Sequence, residues 1–197
     1  MAVRSAAGAT PPVLDDLVRE RPPGHFTDAD IEALPEGYGY EIVDGTLFVS
    51  PAPDAAHQLL VGELFLQLRL ACPAELAVLL APFDYKPDKD TTFEPDLLVA
   101  RRADVVGAKR LERRPLLVVE VRSGRGLRDR TFKRVAYEEA GVPSYWIADP
   151  EEPSLTVLEL DPAGHYAETA RIAGDEVLLL GRPYPVELRL RNGYPLR

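Results

Sequence analysis

Residues 115–149, PLLVVEVRSGRGLRDRTFKRVAYEEAGVPSYWIAD, constrain the fold more than any other part of the chain. Leu116, Leu117, Val118, Val119 and Val121 form a short aliphatic run of the kind that fills a strand buried on both faces. A glycine-containing turn follows, then a helical pattern over 127–140 that stops at Gly141 with Pro143 behind it. Tyr145 and Trp146 open a second apolar strand, where core or interface packing is their expected role. Glu120 interrupts the first strand. An ionised carboxylate taken out of water is costly unless a cation or strong donors meet it, so Glu120 needs a partner.

The remaining chain bounds what that unit can belong to. With 197 residues, 46% of them hydrophobic and 28% charged, the chain suits a single globular domain over 25–197 behind a flexible arm over 1–24. The apolar runs are far shorter than a bilayer requires, so no membrane partner is expected. The N-terminal stretch lacks the apolar region of a signal peptide and Cys72 is the only cysteine, which gives a cytoplasmic address by default. Cys72 ends an apolar helical pattern before Pro73 and reads as a packing residue. A formal net charge of −9 argues against a broad basic surface, so any hold on nucleic acid must rest on a local basic patch, a divalent cation or an oligomer groove.

Taken in order, Thr27 caps a short acidic helix that ends by Pro35, and residues 38–50 alternate around Asp44-Gly45, the signature of a tight hairpin. Leu60, Val61, Leu64, Phe65 and Leu68 give the next helix a broad apolar face. Residues 76–80 and 93–100 read as strands, with a short extended piece at 83–86 and a helical turn near 103–106. Beyond Asp149-Pro150, four runs separated by turn residues predict an antiparallel meander over 155–190. The predicted class is a mixed α/β fold.

Asp96 follows Pro95 and precedes Glu120 by 24 residues, which puts two acids on two adjacent apolar strands. Strands lie about 4.8 Å apart, so in the right register the two carboxylates share one hard cation. Asp96, Glu120, the backbone carbonyl of Val121 and waters would suit Mg²⁺ or Mn²⁺. On the helix, Phe132, Val135, Ala136 and Ala140 are expected to face the sheet, while Asp129, Lys133 and Tyr137 share one side. Lys133 is one of four lysines against nineteen arginines. It could contact a phosphate, orient water near the cation, or simply pair with Asp129. Gly124-Arg125-Gly126 reads as a plain turn, since no Walker lysine follows it.

Pro95-Asp96, Glu120-Val121-Arg122-Ser123, Asp129, Lys133, Tyr137 and the run GVPSYWIAD over 141–149 resemble the Uma-type family, within the PD-(D/E)XK restriction-endonuclease-like superfamily. Tyr40 to Gly45, Ser50-Pro51 and His57 match the opening of the same family, so the resemblance covers roughly 26–190. It implies a restriction-endonuclease-like core: a mixed central sheet flanked by helices, with an N-terminal hairpin and C-terminal antiparallel strands. It also implies metal-dependent hydrolysis of nucleic-acid phosphodiesters; the sequence leaves DNA and RNA both open, with DNA the favoured partner. Asp96 and Glu120 would hold the cation, and Glu41 and His57 would stand near it as ligands or water-positioning groups. The superfamily pattern has a lysine two residues after the glutamate; here Arg122 stands there, and Lys133 looks like the relocated lysine.

Arg122, Arg125, Arg128, Arg130 and Arg134 are candidates for a local basic rim toward phosphates, or for a solvated helix face. Against the nuclease reading stands a non-catalytic nucleic-acid- or protein-binding module that keeps the fold. A homodimer using the C-terminal strands is compatible with either.

Overall fold

A computed structural model describes residues 24–122 and 132–190 with their side chains, and the backbone of Val3–Ser5 and of 127–131. The arm expected at 1–24 thus lies outside the described residues except for Gly24 and the strand β1 (Val3–Ser5). The chain runs on through α1 (Asp28–Ile31), β2 (Tyr38–Val43), β3 (Thr46–Pro51), α2 (Ala55–Ala71), β4 (Leu76–Leu80), β5 (Leu97–Arg101) and α3 (Arg102–Val105). Then come β6 (Leu117–Val121), α4 (Leu127–Glu139), β7 (Ser144–Asp149), β8 (Ser154–Leu160), β9 (Tyr166–Ala173), β10 (Val177–Leu180) and β11 (Val186–Arg189).

A mixed six-stranded sheet in the order β4-β5-β6-β7-β8-β9 forms the centre. Only β6 and β7 pair in parallel, because α4 carries the chain back between them; every other neighbour is antiparallel. Alternation along the strands divides the core in two. Leu97, Val99, Leu117, Val119 and Trp146 face α2 through Leu60, Leu64 and Leu68. Leu98, Val118 and Tyr145 face the other way, toward Ala136 and Tyr137 of α4 and toward Phe48 of β3. No helix among the described residues is long and apolar enough to cross a membrane.

Three expectations need correction. Val135 is 45% exposed, and Tyr137 takes the buried place instead, since a helix face that meets a sheet spans a limited arc. The strand expected over 93–100 is paired in the sheet only from Leu97, while Phe93 makes an isolated bridge with Tyr85. The C-terminal run is not one meander: β8 and β9 extend the central sheet, whereas β10 and β11 form a separate hairpin. That hairpin covers α2, where Leu188 is fully buried and the Tyr184 hydroxyl donates to the Leu68 carbonyl at 2.7 Å.

The β2–β3 turn has Asp44 and Gly45 both at positive φ, 48° and 67°, the arrangement a two-residue hairpin loop favours. Gly45 also touches its surroundings: its carbonyl accepts from Phe26 and its N–H donates to Asp90. A Cβ at Gly45 would lie 2.0 Å from the Gly24 carbonyl oxygen, whereas one at Gly164, also at positive φ, would meet open space. Gly164→Ala should therefore cost only the left-handed strain of about 1–2 kcal/mol, and Gly45→Ala measurably more. Urea denaturation of the two variants checks this; equal losses would mean the turn yields freely around the added methyl.

Candidate active site

The register of the sheet brings the two predicted acids together. β5 and β6 pair with Leu97 opposite Val119, so one step further Asp96 stands opposite Glu120. Glu120 shares the face of Val118, the face on which α4 packs. Asp96 Oδ2 accepts from the Val121 N–H at 2.7 Å, which ties it to the end of β6. From the other side it meets His57 Nε2 at 3.2 Å.

His57 lies in the first turn of α2, whose cap Asp54 accepts from the His57 N–H at 2.9 Å. That cap aims the buried imidazole at Asp96. A carboxylate accepts, so the contact favours the tautomer with its proton on Nε2 and leaves Nδ1 an acceptor. Nδ1 is buried and has no hydrogen-bond partner among the described residues.

Residues one helical turn apart on α4 take hold of Glu120. Lys133 Nζ donates to Glu120 Oε2 at 3.0 Å, and the Tyr137 hydroxyl donates to Oε1 at 2.8 Å. Lys133 Nζ also lies 2.7 Å from Glu41 Oε2. Glu41 comes from β2, directly opposite Phe48 of β3, and Phe48 stacks on Phe132 of α4 with ring centres 4.6 Å apart. The hairpin therefore docks on the helix through an aromatic pair and delivers its glutamate to the same ammonium. Reciprocal hydrogen bonds between Ile42 and Thr92 draw the following loop alongside β2, where the Glu94 N–H donates to Glu41 Oε1 at 3.0 Å. Glu41 is buried.

The charges do not balance with one lysine. Burial pushes the Glu120 carboxyl up to about 8; Lys133 opposes this, while Glu41 and Asp96 add repulsion. Burial together with Asp84, Glu41 and Asp96 lifts Glu94 to about 7, again against Lys133. Burial and the neighbouring Glu120 raise Tyr137 far above the usual phenol value, so it remains a donor. The site is short of positive charge.

Whether these donors fit a divalent cation follows from their chemistry. Among the described residues no group of three or more His, Cys, Asp or Glu side chains is arranged to hold a metal. That is a poor match to a closed zinc site. Mg²⁺ and Mn²⁺ accept less: one or two carboxylates, a carbonyl and retained waters suffice. Asp96, Glu120 and the Val121 carbonyl make such a hard-oxygen set, and the excess of carboxylates over lysine favours an added cation there. These residues fit.

Other sequence-predicted residues lie elsewhere. Arg122 turns away from the acids and pairs with buried Asp149 at the end of β7, although its Nε is buried with no partner among the described residues. Arg134 donates to the Tyr166 carbonyl at 2.8 Å. These two arginines of the expected basic rim thus fasten the scaffold. Arg125, the Gly124–Gly126 turn and the side chains of Arg128, Asp129 and Arg130 lie outside the described residues. Glu94 had no assigned role from sequence; an acid beside Pro95-Asp96 was the available signal. Cys72 packs at the core margin, as its sequence position suggests.

A mixed sheet with a βαβ unit, two acids on neighbouring strands and a helix-borne lysine defines a restriction-endonuclease-like class. A family model described as "Uma2: Putative restriction endonuclease" matches residues 28–192, and the chain belongs to that family. A solved structure described as a "putative nuclease belonging to DUF820", from Anabaena variabilis, is similar in fold, with a TM-score of 0.61. The two share 18% identity over 80% of this chain and 89% of the other. No curated protein matches the chain.

Glu120 and Glu94 both bind a proton more tightly in the folded chain than in an unfolded one. Their stabilising contribution is complete below the ordinary glutamate range and is lost as pH rises through about 7 and about 8. Metal-free protein should therefore lose melting temperature between pH 5 and 8.5, and Glu120→Gln should flatten the upper part of that fall. An unchanged pH profile in Glu120→Gln would overturn the assignment.

Proposed function

We propose that the chain is a metal-dependent nuclease that hydrolyses phosphodiester bonds, with DNA rather than RNA as substrate. One observation carries the reading: a lysine ammonium within 3.0 Å of Glu120, whose neighbour across the strands is Asp96. Asp96, Glu120 and the Val121 carbonyl would hold Mg²⁺ or Mn²⁺. Such a cation, when bound, lowers the pKa of water and offsets charge on a phosphate oxygen.

The chain's own groups do the rest. His57 and the Val121 N–H grip one oxygen of Asp96 and fix its orientation. Tyr137 donates to Glu120 and Glu41 anchors Lys133, so both partners of the central ion pair are held from outside. Lys133 supplies a fixed positive charge and a donor that orient a nucleophilic water or stabilise charge developing on the phosphate. Arg122 is a poor substitute: it stays protonated, and its guanidinium is committed to Asp149. Glu94 is a further carboxylate of this site, able to take up a proton near neutrality.

Purified protein should cleave DNA with Mg²⁺ or Mn²⁺ and lose that activity on chelation. Asp96→Ala and Lys133→Met should each reduce the rate by about 100-fold or more, the scale for removing one preorganised electrostatic group. Calorimetric titration should show Mn²⁺ binding that Asp96→Ala and Glu120→Ala abolish. Undiminished cleavage by Asp96→Ala would remove the activity from this site. Folded protein that neither binds Mn²⁺ nor cleaves DNA or RNA would favour the non-catalytic binding module.

A further inference from the structure

The helix α2 is apolar on two sides, and the fold accounts for only one of them. Leu60, Val61, Leu64 and Leu68 are buried against the sheet and the β10–β11 hairpin. On the opposite side Leu59, Leu66 and Leu70 are 36%, 50% and 79% exposed, at spacings that keep them on one stripe with Gly62. A helix apolar around most of its circumference is ordinarily covered on both sides. Gly62 sharpens the point, because glycine is the weakest helix former after proline and a Cβ there would meet nothing within 4 Å among the described residues. Nothing described within the chain requires a glycine at this position.

We propose that this stripe is the interface of a two-fold symmetric homodimer, formed by antiparallel packing of α2 against α2 of a second copy about an axis at Leu66. The choice of occupant follows from self-complementarity. In a two-fold contact, residue i meets residue j and j meets i. With the axis at Leu66, paired positions sum to twice 66, so Leu66 meets Leu66, Gly62 meets Leu70 and Glu63 meets Arg69. The most exposed leucine enters the space left by the missing side chain, twice over. Each acid faces a base, twice over. Two helices drawn together by leucines, with a glycine one turn from the axis receiving the partner's leucine, form a knob-and-hole contact of ordinary kind.

The hairpin borders the helix on one side. Gln67 exchanges hydrogen bonds with the Arg189 backbone, its Oε1 accepting at 2.8 Å and its Nε2 donating at 3.1 Å, which fixes β11 beside α2. Val177 pairs with Arg189 in the hairpin and, with Leu179, is turned outward. On β11 the exposed residues are Glu187 and Arg189, so charged groups stand between the α2 stripe and the outward leucine and valine of β10. His57 lies nine residues from the axis, so the two copies of it would be separated by about 27 Å along the helices, at 1.5 Å per residue. Each copy keeps its own acids and lysine, and the inference stands apart from the nuclease reading.

Sedimentation velocity of the full chain across the micromolar range tests the contact. The wild type should sediment as a dimer. Leu66→Glu should sediment as a monomer with an unchanged far-ultraviolet spectrum, since the residue is 50% exposed, and its melting temperature should lose the dependence on protein concentration that a dimer shows. Arg69→Glu should weaken the dimer about five- to tenfold, and adding Glu63→Arg should restore it, a recovery expected only if the two charges face each other across the axis. A wild type that stays monomeric overturns the proposal. So does a dimer that survives Leu66→Glu, which would lie on another surface. A monomeric wild type whose melting temperature falls on deletion of 191–197 would instead make that segment of the same chain the occupant.

Discussion

The ammonium of Lys133 stands 2.7 Å from Glu41 and 3.0 Å from Glu120 and thereby joins the N-terminal hairpin, the central sheet and the crossover helix. None of the three groups is tolerable in that place without the others. A buried carboxylate deprived of its partner costs about 3–5 kcal/mol, whereas an apolar triad of similar volume is often as stable as the charged one or more so. The arrangement is therefore poorly explained as a device for stability. Burial raises Glu120, the nearby Glu41 and Asp96 raise it further, and Lys133 offsets only part of this, so the cluster favours an added cation or a proton. Charge deficiency is thus part of the design of the site.

The parts of this arrangement that could be read in the sequence are those set by local rules. The apolar run around Glu120, the stop at Gly141 and the Asp44-Gly45 turn obey strand, cap and hairpin chemistry, and each element is observed where those rules put it. Asp96 and Glu120 were legible as a pair because strand spacing is fixed and one register suffices. What could not be read depends on which surfaces meet. Glu41 becomes a buried group only because Phe48 stacks on Phe132, and Glu94 reaches the cluster only because Ile42 and Thr92 bridge two segments. The division of the C-terminal strands between the central sheet and a cover for α2 is likewise a tertiary outcome, since both hairpins have the same pattern of alternation and turns.

The different places of Arg122 and Lys133 have a structural explanation as well. At 122, the chain is leaving β6 beside β7, and a guanidinium there reaches the buried Asp149 carboxylate, whose Oδ1 accepts from the Glu151 and Glu152 N–H groups. Arginine suits this duty because its charge is permanent and its fork can serve a carboxylate that backbone donors already orient. The compact charge needed beside Glu120 then comes from α4. There, Lys133 and Tyr137 are one turn apart and meet the two oxygens of the same carboxylate.

Placing that lysine on a helix rather than on the strand changes what the site depends on. A strand lysine would be fixed by the sheet ladder that fixes Glu120; Lys133 is fixed by how α4 docks. The docking surface comprises Phe132 on Phe48, and Tyr137 between Phe93 and Tyr145 at ring separations of 4.3 and 5.1 Å. Aromatic pairs of this kind add only about 0.5–1.5 kcal/mol each beyond area burial. A modest loss of packing well away from the acids can therefore move the ammonium relative to Glu120 while the sheet, and with it the Asp96–Glu120 pair, stays intact. The placement of the two acids and the placement of the ammonium are in this way separable, the first residing in strand register and the second in the contact between helix and hairpin.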